Sequence, residues 1–417
     1  MNINAFLALI FNIKSPVTMA LLGLSVFLVF KLWNKHKFSF KFWPYLLTLL
    51  FFTYYLYIGT TVYLFDPSAL HEHSSLVGLY RNYLSSILLI SAFYFGGIYL
   101  IIKKGISFFI KLLFWMFIFS SFVTVIGPFI GLINIYENIG KSMKIGERDA
   151  GLFGNPNEAG VLANYTLVIV LTCFLFFKKQ KWLWLLLIGL PIYSAFVTFS
   201  KSAIIETGLI IIFFIFFNFF YIGKIGKGNR SYIFIFAILL FSLSSFLFLN
   251  FDNFYNSLSK NQKYRIDAII AISQGKINKQ TTSERSVIYS HAINKIARKP
   301  IFGYGIGSFD RFNDGDIQIG THNTYLLVQG ESGIGGTLLL LILFGSLFYY
   351  SLKLKNPALK FLIIGCLIVF LTNKASFGHT ALKDRVSNGL LGLSIAIVYL
   401  SYYKNGIYLR YRNHLIS

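Results

Sequence analysis

Four basic side chains sit where their chemistry could be used. Arg148 lies between Glu147 and Asp149 in the turn-rich stretch ENIGKSMKIGERDAGLFGNPNEAG, residues 137–160. Lys201 follows Thr198-Phe199-Ser200, and Arg285 follows Thr281-Thr282-Ser283-Glu284. His322 opens HNTYLLVQGESGIGG, residues 322–336, nine positions before Glu331. A guanidinium stays charged and presents a planar fork of donors that fits an oxyanion. An imidazole, with an ordinary pKa of about 6.5, can take a proton near neutral pH. Together these groups could grip an anion and move one proton. Each also has a plainer reading. Arg148 reads equally as half of an exposed ion pair of little energy. Arg285 fits a helix lying on a membrane surface, and His322 an interfacial side chain. Lys201 could simply reach from an apolar stem to water.

The elements that must hold these residues follow from composition. The chain has 417 residues, 56% of them hydrophobic and 13% charged, about half the charge of an ordinary soluble domain. Its 46 Phe and 26 Tyr exceed what one soluble core could hide, and apolar runs recur from end to end. A cytosolic enzyme, a secreted disulfide scaffold and a disordered chain are excluded. The pattern predicts an all-α polytopic transmembrane helical bundle. A span needs about 20 apolar residues. Candidate spans cover 17–33, 42–62, 82–102, 107–134, 158–177, 182–199, 203–222, 231–250, 324–350, 361–373 and 388–403, and residues 2–13 could add a twelfth. The expected organisation is an N-terminal bundle over 1–250 with an outward loop at 135–157, a large outward loop over 251–322 with an amphipathic helix, and C-terminal spans over 323–417. Cys173 and Cys366 both fall inside apolar runs and read as buried free thiols.

The net charge of +23 could suggest nucleic acid, but the basic residues lie in short clusters between apolar runs. That is the distribution left by the positive-inside rule, and no nucleic-acid partner is expected. One alternating set of loops holds eighteen Lys and Arg, from Lys31 to Arg412, with no Asp or Glu. These loops are assigned to the cytoplasm. The acidic residues all fall in the other set, which faces outward or lines an outward cavity. The cytoplasmic loops are too short for a nucleotide-binding domain. Gly140-Lys141-Ser142 lacks the first glycine of a phosphate-cradling loop, because Ile135 stands in its place. Any reaction is therefore expected on the outer face without ATP.

Within 251–322, Thr281 and Glu284 form a capping-box pattern, Thr281 as N-cap and Glu284 as N3. A helix is expected to run to about Arg298 and stop before Pro300 and the turn-rich FGYGIG. Arg285, Tyr289, Ala292 and Ile296 then share one face, an odd place for a solvated charge. Asp314-Gly315-Asp316 has the form of a metal-binding DxD, but Asp-Gly is first of all turn chemistry.

At these segments the sequence resembles the O-antigen ligase and O-antigen polymerase superfamily of bacterial envelope glycan assembly. The likeness rests on RDAGLFGNPNEAG at 148–160, TFSKSA at 198–203, ERSVIYSHAINKIARKPIFGYGIGSF at 284–309 and HNTYLLVQGESGIGG at 322–336. The resemblance implies a GT-C-like bundle in the bacterial inner (cytoplasmic) membrane, with its active site facing the periplasm. It implies a metal-independent glycosyltransferase without cofactors that uses an undecaprenyl-diphosphate-linked glycan as donor. Arg148 and Arg285 would grip the diphosphate, and His322 would be the essential histidine. Lys201, Asn323 and Glu331 would contact substrate. Lys201 departs from the arginine common in the family and, as a point charge, cannot fork onto two oxygens. The chemistry is self-consistent, since the donor is already activated and its leaving group gains negative charge that two guanidiniums can meet.

The leading expectation is an O-antigen or capsular polysaccharide polymerase, with a chain-length regulator and a flippase as further partners. The alternative is a ligase that moves finished polymer to lipid A-core. A transporter or flippase is the rival from another class. It is disfavoured by the lack of an internal inverted repeat and of ionisable residues in mid-span beyond Lys111 and Glu206, which lie near span ends. A non-catalytic membrane scaffold is disfavoured by His322 standing together with two arginines.

Overall fold

The computed structural model describes residues 42–65, 76–126, 155–221, 251–276, 285–309, 312–314, 317–376 and 381–402, together with Phe27 and scattered positions between 231 and 250. The expected spans at 2–13 and 17–33 and most of 231–250 lie outside the described residues, as do Arg148 and the Thr281–Glu284 capping pattern.

The described chain is an all-α bundle. In order it runs α1 (Trp43–Phe65), α2 (Leu76–Lys104), α3 (Ile106–Ile126), α4 (Pro156–Phe176), α5 (Lys181–Val197), α6 (Lys201–Phe220), α7 (Phe251–Ser257), α8 (Lys260–Ser273), α9 (Arg285–Arg298), α10 (Thr324–Leu352), α11 (Pro357–Val369) and α12 (Arg385–Tyr402). A π-helical turn (Phe370–Ala375) continues α11, and a short 3-10 turn (Ala381–Lys383) precedes α12. Among the described residues seven helices are long and apolar enough to cross a membrane, so this is a multi-pass membrane protein. A two-stranded hairpin, β1 (Phe312–Asp314) and β2 (Ile317–Ile319), pairs Asp314 with Ile317.

The helices form two compact units. The first contains α3 from Ile110 onward, α4 to α8 and α11. Its centre is α4, which packs against α5, α6 and α11 and is buried on nearly every side. Pro156 at the start fixes a helical φ, and Asn155 caps by accepting the Asn157 N–H at 3.0 Å. The helix is apolar all round, as a helix enclosed by others must be. The second unit contains α1, α2, α9, the hairpin, α10, the π turn and α12. Here α12 packs on α2, and α10 on α1 and α9. Gly392 lets α12 approach α2 so closely that a Cβ would meet the Ile90 carbonyl. The 251–322 stretch is divided, with α7 and α8 in the first unit and α9 and the hairpin in the second.

Candidate functional site

The second unit brings two of the sequence segments together around α10. Asn323 is its N-cap, accepting the Leu326 N–H at 3.0 Å. Just before it, His322 is half-buried and has a left-handed backbone with φ of 47°. For a residue with a Cβ this conformation costs about 1–2 kcal/mol, so the surroundings must enforce it.

Those surroundings include α9. It ends at Arg298, before Pro300, as its sequence predicts, and buries Ile288 and Ala292. Arg285 stands at the first position of α9 and is half-buried. Burial pushes its guanidinium below the ordinary arginine value, and neighbouring Tyr289 works the other way. Tyr289, one turn on, carries its hydroxyl 3.2 Å from the His322 carbonyl and 3.0 Å from the Ser376 carbonyl. Burial raises the Tyr289 phenol, while Arg285 and a hydrogen bond with Asn323 oppose that rise. Asn323 Nδ2 also donates to the Ser376 carbonyl at 3.3 Å. Arg285, Tyr289, His322 and Asn323 therefore belong to one connected patch that ends on the residue following the π turn.

Glu331, assigned to substrate contact by the resemblance, is engaged by a loop of its own unit. It is fully buried on α10. Its Oε1 accepts the Gly307 N–H at 2.9 Å and the Phe309 N–H at 3.4 Å, and its Oε2 accepts the Tyr55 hydroxyl. Tyr55 in turn meets Tyr83 at 3.2 Å. The loop's main chain is bound as well, by Tyr304 N–H to the Gly330 carbonyl at 2.7 Å and Gly305 N–H to the Glu331 carbonyl at 3.0 Å. Here Glu331 fastens the FGYGIGSF loop through its carboxylate. Two glycines permit the approach. A Cβ at Gly303 (φ 76°) would lie 2.7 Å from the Gly330 carbonyl oxygen, and one at Gly333 (φ 68°) would collide with the Ile301 carbonyl. Gly333 has non-helical dihedrals and kinks α10.

In the first unit, Lys201 is the first residue of α6 and is half-buried. Phe199, two residues earlier, is left-handed at φ 45°. The Thr198 hydroxyl accepts the Ser200 N–H at 3.2 Å and donates to the Ala195 carbonyl at 2.7 Å, shaping this turn. Gly160 of α4 lies against it, since a Cβ there would be 2.6 Å from Ala203 Cβ. One turn along α6, buried Glu206 accepts Asn164 Nδ2 at 2.7 Å, and Thr207 donates to Asn164 Oδ1 at 2.7 Å.

Tyr289 was noted in the sequence only as a member of a helix face. The ion pair Lys374–Asp384 (3.4 Å), with both side chains largely buried, was not foreseen either. Asp384 also accepts the Ser387 N–H at 2.8 Å as α12 begins. Among the described residues no three His, Cys, Asp or Glu side chains gather as a metal site would require.

Half-buried Arg285 and His322 thus lie in one patch of a multi-pass helical bundle. Residues 186–341 match the family model described as O-antigen ligase, in keeping with the O-antigen ligase and polymerase superfamily that the motifs resemble. The match spans α5 from Leu186 to the middle of α10, and so includes Lys201, Arg285, His322, Asn323 and Glu331. It supports membrane glycan assembly by a glycosyltransferase-like enzyme. No curated protein matches the chain. A solved structure described as a peptidoglycan synthase complex, with structural coordination of polymerization and crosslinking, is similar over 84% of this chain and 98% of its own. Identity is 13% and the TM-score 0.41. A likeness that loose carries no argument about function.

Proposed function

We propose that the chain is a polymerase of O-antigen or capsular polysaccharide, joining repeat units carried on undecaprenyl diphosphate at the outer face of the inner membrane. The observation that supports it most is the continuous patch from Arg285 through Tyr289 to His322 and Asn323. In this reading Arg285 holds the donor diphosphate, and its bidentate donors meet the charge that grows on the leaving group; Arg148, outside the described residues, keeps the anion-binding role that the resemblance implies. Neutral His322 takes the proton of the acceptor hydroxyl as the glycosidic bond forms and lipid diphosphate departs. Asn323 in the second unit and Lys201 in the first are assigned to substrate support, while Glu331 fastens the FGYGIGSF loop. No metal or nucleotide is invoked, because the donor is already activated.

The ligase reading shares this donor and chemistry. Deleting the gene and running the surface glycan on a gel separates the two. A single-repeat band is expected for a polymerase. Lipid-linked polymer accumulating beside bare core indicates a ligase instead, and unchanged glycan removes both. Orientation is tested with cysteines at Ser259 and Lys355 after replacing Cys173 and Cys366. An impermeant thiol reagent should label position 259, and not 355, in spheroplasts.

A further inference from the structure

Tyr289 occupies a junction that the reaction just described does not use. Its hydroxyl stands between two main-chain carbonyls from distant parts of the chain, those of His322 and Ser376. Its ring rises from α9 one turn beyond Arg285, and the side chain of Asn323 bonds to it as well. A phenol has a single proton to donate, so it can satisfy only one of the two carbonyls fully at a time. The carbonyl it reaches on the His322 side belongs to the residue with the left-handed backbone. That conformation is unfavourable in isolation and persists only where contacts impose it. Asn323 adds a second tie to the Ser376 carbonyl and caps α10 with its side-chain oxygen. Three segments thus meet at one phenol: the helix bearing the arginine, the turn bearing the histidine, and the end of the π turn.

We infer that Tyr289 is a positioning residue, whose hydroxyl fixes the His322 backbone so that the imidazole is held at a set place relative to Arg285. This rests on the reading of His322 as base and Arg285 as anion grip. Tyr289 touches neither substrate nor reacting atoms. It acts through the main chain of His322, so its loss should cost turnover and leave anion binding intact. A base displaced by about 1 Å can cost on the order of 100-fold in rate.

The test compares the full-length protein with Tyr289→Phe, both purified into nanodiscs. Transfer is measured on the lipid-linked glycan extracted from the deletion strain, and binding is measured with undecaprenyl diphosphate. The expected result for Tyr289→Phe is a kcat lower by about 10–100-fold with KM and undecaprenyl diphosphate affinity within about 3-fold of the parent. A merely structural role would lower the active fraction and the binding capacity together. A variant that keeps its kcat, or that loses donor affinity with or without kcat, overturns the inference. Should Tyr289→Phe fail to accumulate, Tyr289→Gln is read by the same two measurements and the same criteria. A parent protein that neither transfers the extracted glycan nor binds undecaprenyl diphosphate would refute the polymerase reading itself. A parent competent in both, beside a fully active Tyr289→Phe, refutes only the role of Tyr289.

Discussion

Each unit contains a fully buried glutamate, Glu206 in the first and Glu331 in the second, and the two are used differently. In the first unit, Glu206 accepts a side-chain amide from Asn164 and so ties α6 to α4. In the second, Glu331 accepts main-chain N–H groups from Gly307 and Phe309 and a hydroxyl from Tyr55. The first joins helices whose own backbones are already satisfied. The second completes a loop whose amides have no helix to serve them. Hydrogen bonds between membrane helices average about 0.6 kcal/mol, whereas a buried N–H left without a partner costs about 1–3 kcal/mol. The same residue type is therefore a minor fastener in one unit and a structural requirement in the other.

Breaking the chemistry proposed for the second unit should have the largest effect. Arg285→Lys keeps the charge and loses the fork, and transfer should fall by about 100-fold or more while the protein stays in the membrane. Full complementation by that variant would reduce Arg285 to a generic surface charge. His322→Gln should be similarly inactive in transfer yet retain undecaprenyl diphosphate binding. With the histidine present, the rate should decline on the acid side as the neutral imidazole, the only form able to accept a proton, is depleted.

Stability comes next, and it tests the contrast of the two glutamates directly. Glu331→Ala leaves two loop amides and the Tyr55 hydroxyl without their acceptor, and should lower stability by about 3–5 kcal/mol in denaturant titration. Gly333→Ala sets a Cβ against the Ile301 carbonyl and should cost about 1–3 kcal/mol by the same measurement. Glu206→Gln keeps an acceptor for Asn164 and should shift stability by less than about 1 kcal/mol. Equal losses for Glu331→Ala and Glu206→Gln would erase the distinction drawn between the units.

The bundle was legible in the sequence because hydropathy is local. The runs expected at 42–62, 158–177, 203–222, 324–350 and 388–403 match α1, α4, α6, α10 and α12 closely. The stop of α9 before Pro300 was equally local. What escaped was long-range. Tyr55 and Glu331 are 276 residues apart, and Tyr289 and Ser376 are 87 apart. Nothing in the spacing of QGESG reveals that its carboxylate receives loop amides, because that depends on which loop folds against it. The left-handed backbone of His322 is invisible for the same reason, being imposed by partners brought from elsewhere. The run expected at 361–373 did not reveal the π turn at 370–375, since one extra residue in a turn leaves hydropathy unchanged.

The break at Gly333 also sets a depth. Helix α10 has 29 residues, about 43 Å at 1.5 Å per residue, well beyond the ~30 Å of a hydrocarbon core. From Ile334 to Leu352 the straight part measures about 28 Å, enough to cross by itself. The ten residues before it can then stand at the level of the phospholipid headgroups. If the proposed lipid diphosphate donor is the substrate, this is also the level at which its phosphates would lie, so its chains would stay in the bilayer.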